Sequence, residues 1–169
     1  RKEGISPAVG DRVEISLNGE KGVVERIFER KNYLVRPPLS NLDKLFIVSS
    51  STVPAVNPLL IDRMTAICEH IGVEPILVFN KADLGGFDSL PETYRAVGYK
   101  TFVVSAETGN GVDKLRGELD GSVSAFCGNS GVGKSSLLNR LLDGIELSTG
   151  EVSKKLGRGK HTTRTVELY

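Results

Sequence analysis

Two short segments carry residue types at spacings that suit nucleotide chemistry. Gly128-Asn129-Ser130-Gly131-Val132-Gly133-Lys134-Ser135, followed by Ser136, lies between a predicted strand and a predicted helix, the setting in which a glycine-rich loop becomes a phosphate cradle. Its glycines let backbone N–H groups converge on phosphate oxygens, and the helix N-terminus adds its positive end. Lys134 supplies positive charge to the β- and γ-phosphates, and the Ser135 hydroxyl suits Mg²⁺. A glycine-rich turn with a chance lysine is the bland alternative, and the flanking strand and helix argue against it.

The second segment is Asn80-Lys81-Ala82-Asp83, at the carboxyl end of another predicted strand. A carboxylate at Asp83 can accept hydrogen bonds from both N1–H and the exocyclic N2–H₂ of guanine, whereas adenine presents no such donor pair. Charge-assisted bonds of this kind are worth roughly 1.5–3 kcal/mol each, enough to reject adenine nucleotides. The aliphatic stem of Lys81 can cover the flat base, and Asn80 can tie this loop to the phosphate segment. Four letters alone would read as a solvated loop; their weight comes from the glycine-rich loop elsewhere in the chain.

Two further stretches gain meaning from that company. Ser105-Ala106-Glu107, just after a predicted strand, resembles the third base-binding segment of GTPases, in which a backbone N–H meets guanine O6; by itself it would be an ordinary strand-to-loop turn. Residues 157–164, Gly-Arg-Gly-Lys-His-Thr-Thr-Arg, fall where a GTPase places its first switch. Thr163 is the expected contact to Mg²⁺ and the γ-phosphate, with Thr162 the alternative, and a solvated basic loop is the competing reading. The base-reading element precedes the phosphate loop, the reverse of the usual order, so the chain reads as a circularly permuted GTPase.

The elements that must position these residues follow from periodicity. Residues 11–36 alternate as strands around an Asn18-Gly19 turn, with Arg12–Leu17 and Gly22–Phe28 the clearest runs. Three strands at most fit there, so this leader is expected to be the remnant of a small β-barrel whose earlier strands precede Arg1, a first residue that is not Met. Arg36-Pro37-Pro38 marks the expected boundary between that remnant, residues 1–37, and a nucleotide domain over residues 38–169.

Beyond the boundary, strands at Lys44–Ser49, Pro75–Phe79, Tyr99–Val104 and Val123–Cys127 alternate with helices. The first helix starts at an Asn57 cap and Pro58, and presents Leu60, Met64, Ile67, Cys68 and Ile71 as its apolar face. Helices are also predicted over residues 91–97, Val112–Leu119 and Lys134–Leu142, with a last strand over Arg164–Tyr169. Strands separated by helices imply a parallel sheet with right-handed crossovers. The fold class is therefore α/β.

Composition sets the outer limits. At 169 residues and 39% apolar content the chain can bury one full core and a small appendage. The formal charge of +1 conceals a patch: Lys154, Lys155, Arg158, Lys160 and Arg164 fall within residues 153–164, which contain no acid. Cys68 and Cys127 have apolar neighbours and no metal-ligand spacing, so both are expected to be buried, reduced thiols, which suits the cytosol. Apolar runs are strand-length, far short of the ~20 residues that span a bilayer, and no signal peptide or anchor is apparent.

The succession of N-K-A-D, S-A-E, G-N-S-G-V-G-K-S and G-R-G-K-H-T-T-R resembles the RsgA (YjeQ/YloQ) family of circularly permuted GTPases, which act in maturation of the small ribosomal subunit. Arg36-Pro37-Pro38-Leu39-Ser40-Asn41-Leu42-Asp43 and the leader Val9-Gly10-Asp11-Arg12-Val13 are similar to that family's junction with an N-terminal OB-fold. The resemblance implies a partial OB-fold over residues 1–37 and a permuted GTPase domain over 38–169. It implies GTP and GDP as ligands, Mg²⁺ held through Ser135 and Thr163, and the small ribosomal subunit and its rRNA as partners. It also implies a cytoplasmic monomer without membrane contact, and a water-positioning role for His161, since the family lacks the glutamine that other GTPases use. A GTPase metal site is completed by a D-x-x-G segment on the strand after the first switch, and none falls between that switch and Tyr169. Zinc is expected only in a C-terminal domain that these residues do not include, and no zinc ligands are assigned here.

Hydrolysis of GTP is the expected activity, by Mg²⁺-assisted attack of water on the γ-phosphate. An RNA-binding module that uses nucleotide as a conformational ligand, with little turnover, is the alternative. A phosphate-loop ATPase or kinase conflicts with Asn80–Asp83.

Overall fold

Alternation at Val13, Ile15 and Leu17 produces strand β1 (Val13–Asn18), which pairs antiparallel with β2 (Lys21–Ile27) across a turn at Gly19, in register from Val13↔Ile27 to Asn18↔Lys21. A bulge falls between Glu14 and Ile15. In the computed structural model, which describes residues 6–19 and 21–142, this hairpin belongs to the first of two units, which divide between Leu42 and Asp43. A second, shorter hairpin pairs β3 (Tyr33–Leu34) with β4 (Leu39–Ser40) around Arg36-Pro37-Pro38.

Polar side chains fasten this unit where its short strands cannot. Asn32 is buried; its Nδ2 donates to the Leu42 carbonyl at 2.7 Å and its Oδ1 accepts from the Leu42 N–H at 2.9 Å. Asp11 accepts from Arg30 Nε at 2.7 Å, Arg30 Nη2 at 2.8 Å, the Ser40 hydroxyl at 2.7 Å and the Ala8 N–H at 2.7 Å. The hydrogen-bonded Arg30 guanidinium is the main reason the Asp11 carboxyl is held far below its ordinary range.

The second unit is the expected α/β arrangement. Strands β5 (Lys44–Ser50), β6 (Glu74–Asn80), β7 (Lys100–Val103) and β8 (Ser124–Cys127) form one parallel sheet in the order β7-β6-β5-β8. Helices α1 (Pro58–Ile71), α2 (Leu90–Ala96), α3 (Val112–Arg116) and α4 (Lys134–Leu141) fall between and after these strands. Because Leu45, Phe46, Ile47 and Val48 are all buried, both faces of β5 are covered, as parallel sheets require. Phe46, Val48, Ile76 and Val78 pack on one face with Val112, Leu115, Leu137 and Leu141. Alternation sends Phe79 to the other face, against Phe87 and Tyr94, whose hydroxyl donates to Asp62 Oδ1 at 2.7 Å.

Three expectations need correction. The buried stripe of α1 is Ile61, Thr65 and Cys68, with Ile67 41% exposed, so the helix is rotated from the face predicted at Leu60, Met64 and Ile67. Thr65 tolerates burial because its hydroxyl donates to the Asp62 carbonyl at 3.0 Å. Asn57 stands at the cap position but its side chain makes no cap bond, leaving Pro58 as the residue that sets the helix start. Cys68 is fully buried, which pushes its thiol up to about 11, whereas Cys127 is only partly covered. The basic patch, the first-switch segment with His161, Thr162 and Thr163, and the strand predicted over Arg164–Tyr169 lie outside the described residues.

Candidate nucleotide site

From β5 the chain moves to β6 and then β7 on one side, and β8 returns to the opposite side of β5. The carboxyl ends of β5 and β8 therefore sit at a topological switch point, where open parallel sheets form their binding crevice. Residues 128–133 leave β8 at that edge and run into α4, while Asn80 ends β6 two strands away.

Close approach explains two of the glycines. Gly128 has φ +144°, and a Cβ there would overlap the Val48 carbonyl oxygen of β5. Gly133 has φ +89°, and a Cβ there would overlap Asn80 Nδ2. Val132 between them is buried and joins the core beneath the loop. The half-buried Ser135 and Ser136 occupy the first turn of α4, after Lys134, whose Nζ donates to the carbonyls of Gly128 at 2.9 Å and Asn129 at 2.8 Å. The loop thus curls around the lysine, and Asn129, Ser130 and Gly131 form its exposed crest.

Asn80 is the joint between segments distant in sequence. Only 1% exposed, it donates from Nδ2 to the Val132 carbonyl at 2.9 Å and accepts at Oδ1 from the Ala106 N–H at 2.9 Å. One side chain thereby links the turn after β6, the phosphate-type loop and the Ser105-Ala106-Glu107 segment. Lys81 follows in the left-handed region at φ +65°, a conformation that costs a non-glycine residue energy and here is held from both sides. The Ser51 hydroxyl donates to the Lys81 carbonyl at 2.8 Å, and Lys81 Nζ donates to the Val53 carbonyl at 2.9 Å.

Asp83 is exposed in the short 3₁₀ turn Ala82–Leu84, and the buried Ser105 donates its hydroxyl to Asp83 Oδ1. Ser105 is itself fixed: its oxygen accepts from the Thr108 N–H at 3.1 Å, and its carbonyl accepts from the Gly109 N–H at 2.8 Å. A carboxylate presented to solvent, with one oxygen oriented by a buried hydroxyl, can accept a pair of donors in one plane. The Ala106 N–H is turned onto Asn80, and Glu107 is exposed beside it. All the described residues singled out from sequence therefore fall on one edge of the sheet.

Sequence reasoning passed over three contributors. Ser51 and Val53, in the loop after β5, hold Lys81; a run of small polar residues after a buried strand was their only signal. Arg140, near the end of α4, donates from Nη2 to the Glu107 carbonyl, a partner distant in sequence that no local pattern signals.

A family model described as RsgA GTPase matches residues 27–169. The chain is 46% identical over 172 residues to the small ribosomal subunit biogenesis GTPase RsgA of Caldanaerobacter subterraneus subsp. tengcongensis, covering 99% of this chain and 58% of the relative. It is 44% identical over 175 residues to the protein of the same name from Geobacillus sp. strain WCH70, covering 99% and 60%. Among solved structures, YjeQ from Thermotoga maritima superposes with a TM-score of 0.72 and 35% identity over 87% of this chain and 55% of that one. YloQ, described as a circularly permuted GTPase, superposes with a TM-score of 0.66 and 34% identity, over 82% and 51%. The chain thus spans 58–60% of the length of these two curated relatives.

Proposed function

The chain belongs to the RsgA GTPase family, and we propose that it binds guanine nucleotide at the switch point of its sheet and hydrolyses GTP during biogenesis of the small ribosomal subunit. The observation that carries this is Asn80, whose two hydrogen bonds bring the base-type and phosphate-type segments into one site. The names of the relatives supply the ribosomal setting.

In this reading Asp83 accepts the guanine N1–H and N2–H₂, the stem of Lys81 covers the base, and Asn80, Ser105, Ala106 and Glu107 build the wall that faces it. Residues Gly128 to Gly133 wrap the phosphates with backbone N–H groups, and the N-terminus of α4, with Ser135 and Ser136, adds donors. Lys134 exchanges its two carbonyl partners for β- and γ-phosphate oxygens. The close fit of Gly128 and Gly133 against Val48 and Asn80 supports a loop shaped to bring its backbone near a ligand.

Mg²⁺, when bound, supplies charge neutralisation across the β- and γ-phosphates. Ser135 and Thr163 would be its protein ligands. Among the described residues no group of three or more His, Cys, Asp and Glu gathers, and a hydroxyl with phosphate oxygens and waters is the donor set Mg²⁺ commonly uses. Water attacks the γ-phosphorus as the bond to the β–γ bridging oxygen breaks, giving GDP and inorganic phosphate, with His161 orienting the water. Residues 1–37 are proposed as part of an OB-fold and 38–169 as the permuted GTPase domain. The partners are the small subunit and its rRNA, met by the OB portion and the basic first-switch segment, and the setting is the cytoplasm, with the protein a monomer that makes no membrane contact. Among the described residues no helix is long and apolar enough to cross a membrane. No zinc role is proposed for these residues.

The test is multiple-turnover GTP hydrolysis by the full-length protein, with and without small subunits. Slow intrinsic turnover that rises with subunits, and that falls on His161→Ala with GTP affinity retained, is the expected result. Turnover that stays negligible in both conditions would identify a nucleotide-switched RNA-binding module instead.

A further inference from the structure

A continuous chain of hydrogen bonds links the far end of the phosphate-loop helix to the carboxylate proposed to read the base. Arg140 Nη2 donates to the Glu107 carbonyl, and the N–H of the same peptide unit, on Thr108, donates to Ser105 Oγ at 3.1 Å. The Ser105 hydroxyl then donates to Asp83 Oδ1. The donors point one way throughout, from a guanidinium to a carboxylate, so each bond polarises the next.

The surroundings hold this chain in place. Gly109 has φ +85°, and a Cβ there would come within 3.2 Å of Arg140 Nη1, so the guanidinium lies close against the loop. On the other side, Arg116 Nη2 of α3 donates to the Arg140 carbonyl at 2.6 Å and fixes the backbone from which the side chain extends.

We infer that Arg140 is a positioning residue for base selection, acting through the Glu107–Thr108 peptide and the Ser105 hydroxyl to orient the Asp83 carboxylate. The inference rests on the proposed reading in which Asp83 accepts the guanine N1–H and N2–H₂. An Asp83 carboxylate loosened about its side-chain torsions loses most where two donors must be met at once. Inosine nucleotides lack the N2 amine and offer one donor, so the preference for GDP over IDP reports this orientation, while total affinity also includes the phosphates.

The experiment measures that preference by titrating GDP and IDP against the full-length protein and four variants. Arg140→Met keeps the aliphatic stem and removes only the donors. It is expected to lower the GDP-over-IDP ratio by roughly threefold to tenfold, the range of one net hydrogen bond. Ser105→Ala is expected to lower the ratio similarly, and adding Arg140→Met to Ser105→Ala is expected to change it no further, since both act on one path. A parent that prefers GDP, loses the preference on Asp83→Ala and keeps it on Arg140→Met would overturn the role of Arg140 while sparing Asp83. Full additivity of the Arg140 and Ser105 effects would overturn the route. A parent without preference for GDP would end both this inference and the reading beneath it.

Discussion

Asn80 and Val132 stand 52 residues apart in sequence and meet at 2.9 Å, the amide of one donating to the carbonyl of the other, in the buried floor where two loops of the sheet edge join. The same side chain accepts from the Ala106 N–H. A four-letter segment after β6 is thus a structural joint as well as a candidate base-reading turn. Removing that joint should cost stability and binding together.

Asn80→Ala leaves the Val132 carbonyl and the Ala106 N–H without their partner in a buried setting. An unsatisfied buried polar group costs about 1–3 kcal/mol, so the pair should lower unfolding free energy by about 2–6 kcal/mol. Urea denaturation of parent and variant reads this directly. Equal midpoints and slopes would show that the joint contributes nothing.

Gly133→Ala places a methyl group against Asn80 Nδ2 at a backbone φ of +89°. The loop must shift away from Asn80, and nucleotide affinity is expected to fall about tenfold or more, equivalent to about 1.4 kcal/mol. Gly72→Ala is the matched control, with a φ of +70° and no atom near its added methyl. It should cost about 1–2 kcal/mol in stability from backbone strain and leave GDP affinity unchanged. Calorimetric titration of both variants separates local strain from collision at the site.

Much of this site was legible because its chemistry fixes residue types. Glycines beside Lys134 and Ser135, and an amide, lysine and carboxylate in N-K-A-D, signal a nucleotide irrespective of packing, and buried strands such as Leu45–Val48 announce themselves by apolar runs. The face of α1 was less legible. Leu60, Ile61, Met64, Ile67 and Cys68 form a stripe too broad for periodicity to orient, and Thr65 enters the core only because its own helical turn satisfies it. The contact of Arg140 with the Glu107 carbonyl depends on which loops the strand order β7-β6-β5-β8 brings together, and the Asn32–Leu42 latch on the closing of the β3–β4 hairpin, and neither is written in a local pattern.

The first unit gives a pH-dependent prediction. The folded Asp11 carboxyl is held well below its unfolded value, chiefly by its hydrogen bonds to Arg30, so it binds its proton more weakly when folded. Its stabilising contribution is therefore fully present above the unfolded pKa of about 3.9 and is lost as pH falls through the lower folded value. Asp11→Asn should destabilise this unit at pH 7 by about 1–3 kcal/mol. The gap between parent and variant should narrow below about pH 4. Denaturation followed through Tyr33, which lies in this unit under the Arg30 guanidinium at 4.5 Å, would show it; a gap constant from pH 7 to pH 3 would mean that the carboxylate charge is immaterial.

The most direct test of guanine recognition is an exchange of hydrogen-bonding sense at Asp83. Xanthine carries a carbonyl where guanine carries its N2 amine, so Asp83→Asn, which gains a donor, should convert a guanine site into one that favours xanthine. Titrating GDP and XDP against parent and variant should give a parent that prefers GDP. The variant's affinity for GDP should be weaker by roughly tenfold or more, the loss of a charge-assisted bond of about 1.5–3 kcal/mol, and its preference should be inverted toward XDP. Equal GDP affinity in the two proteins, with no gain for XDP, would contradict the account.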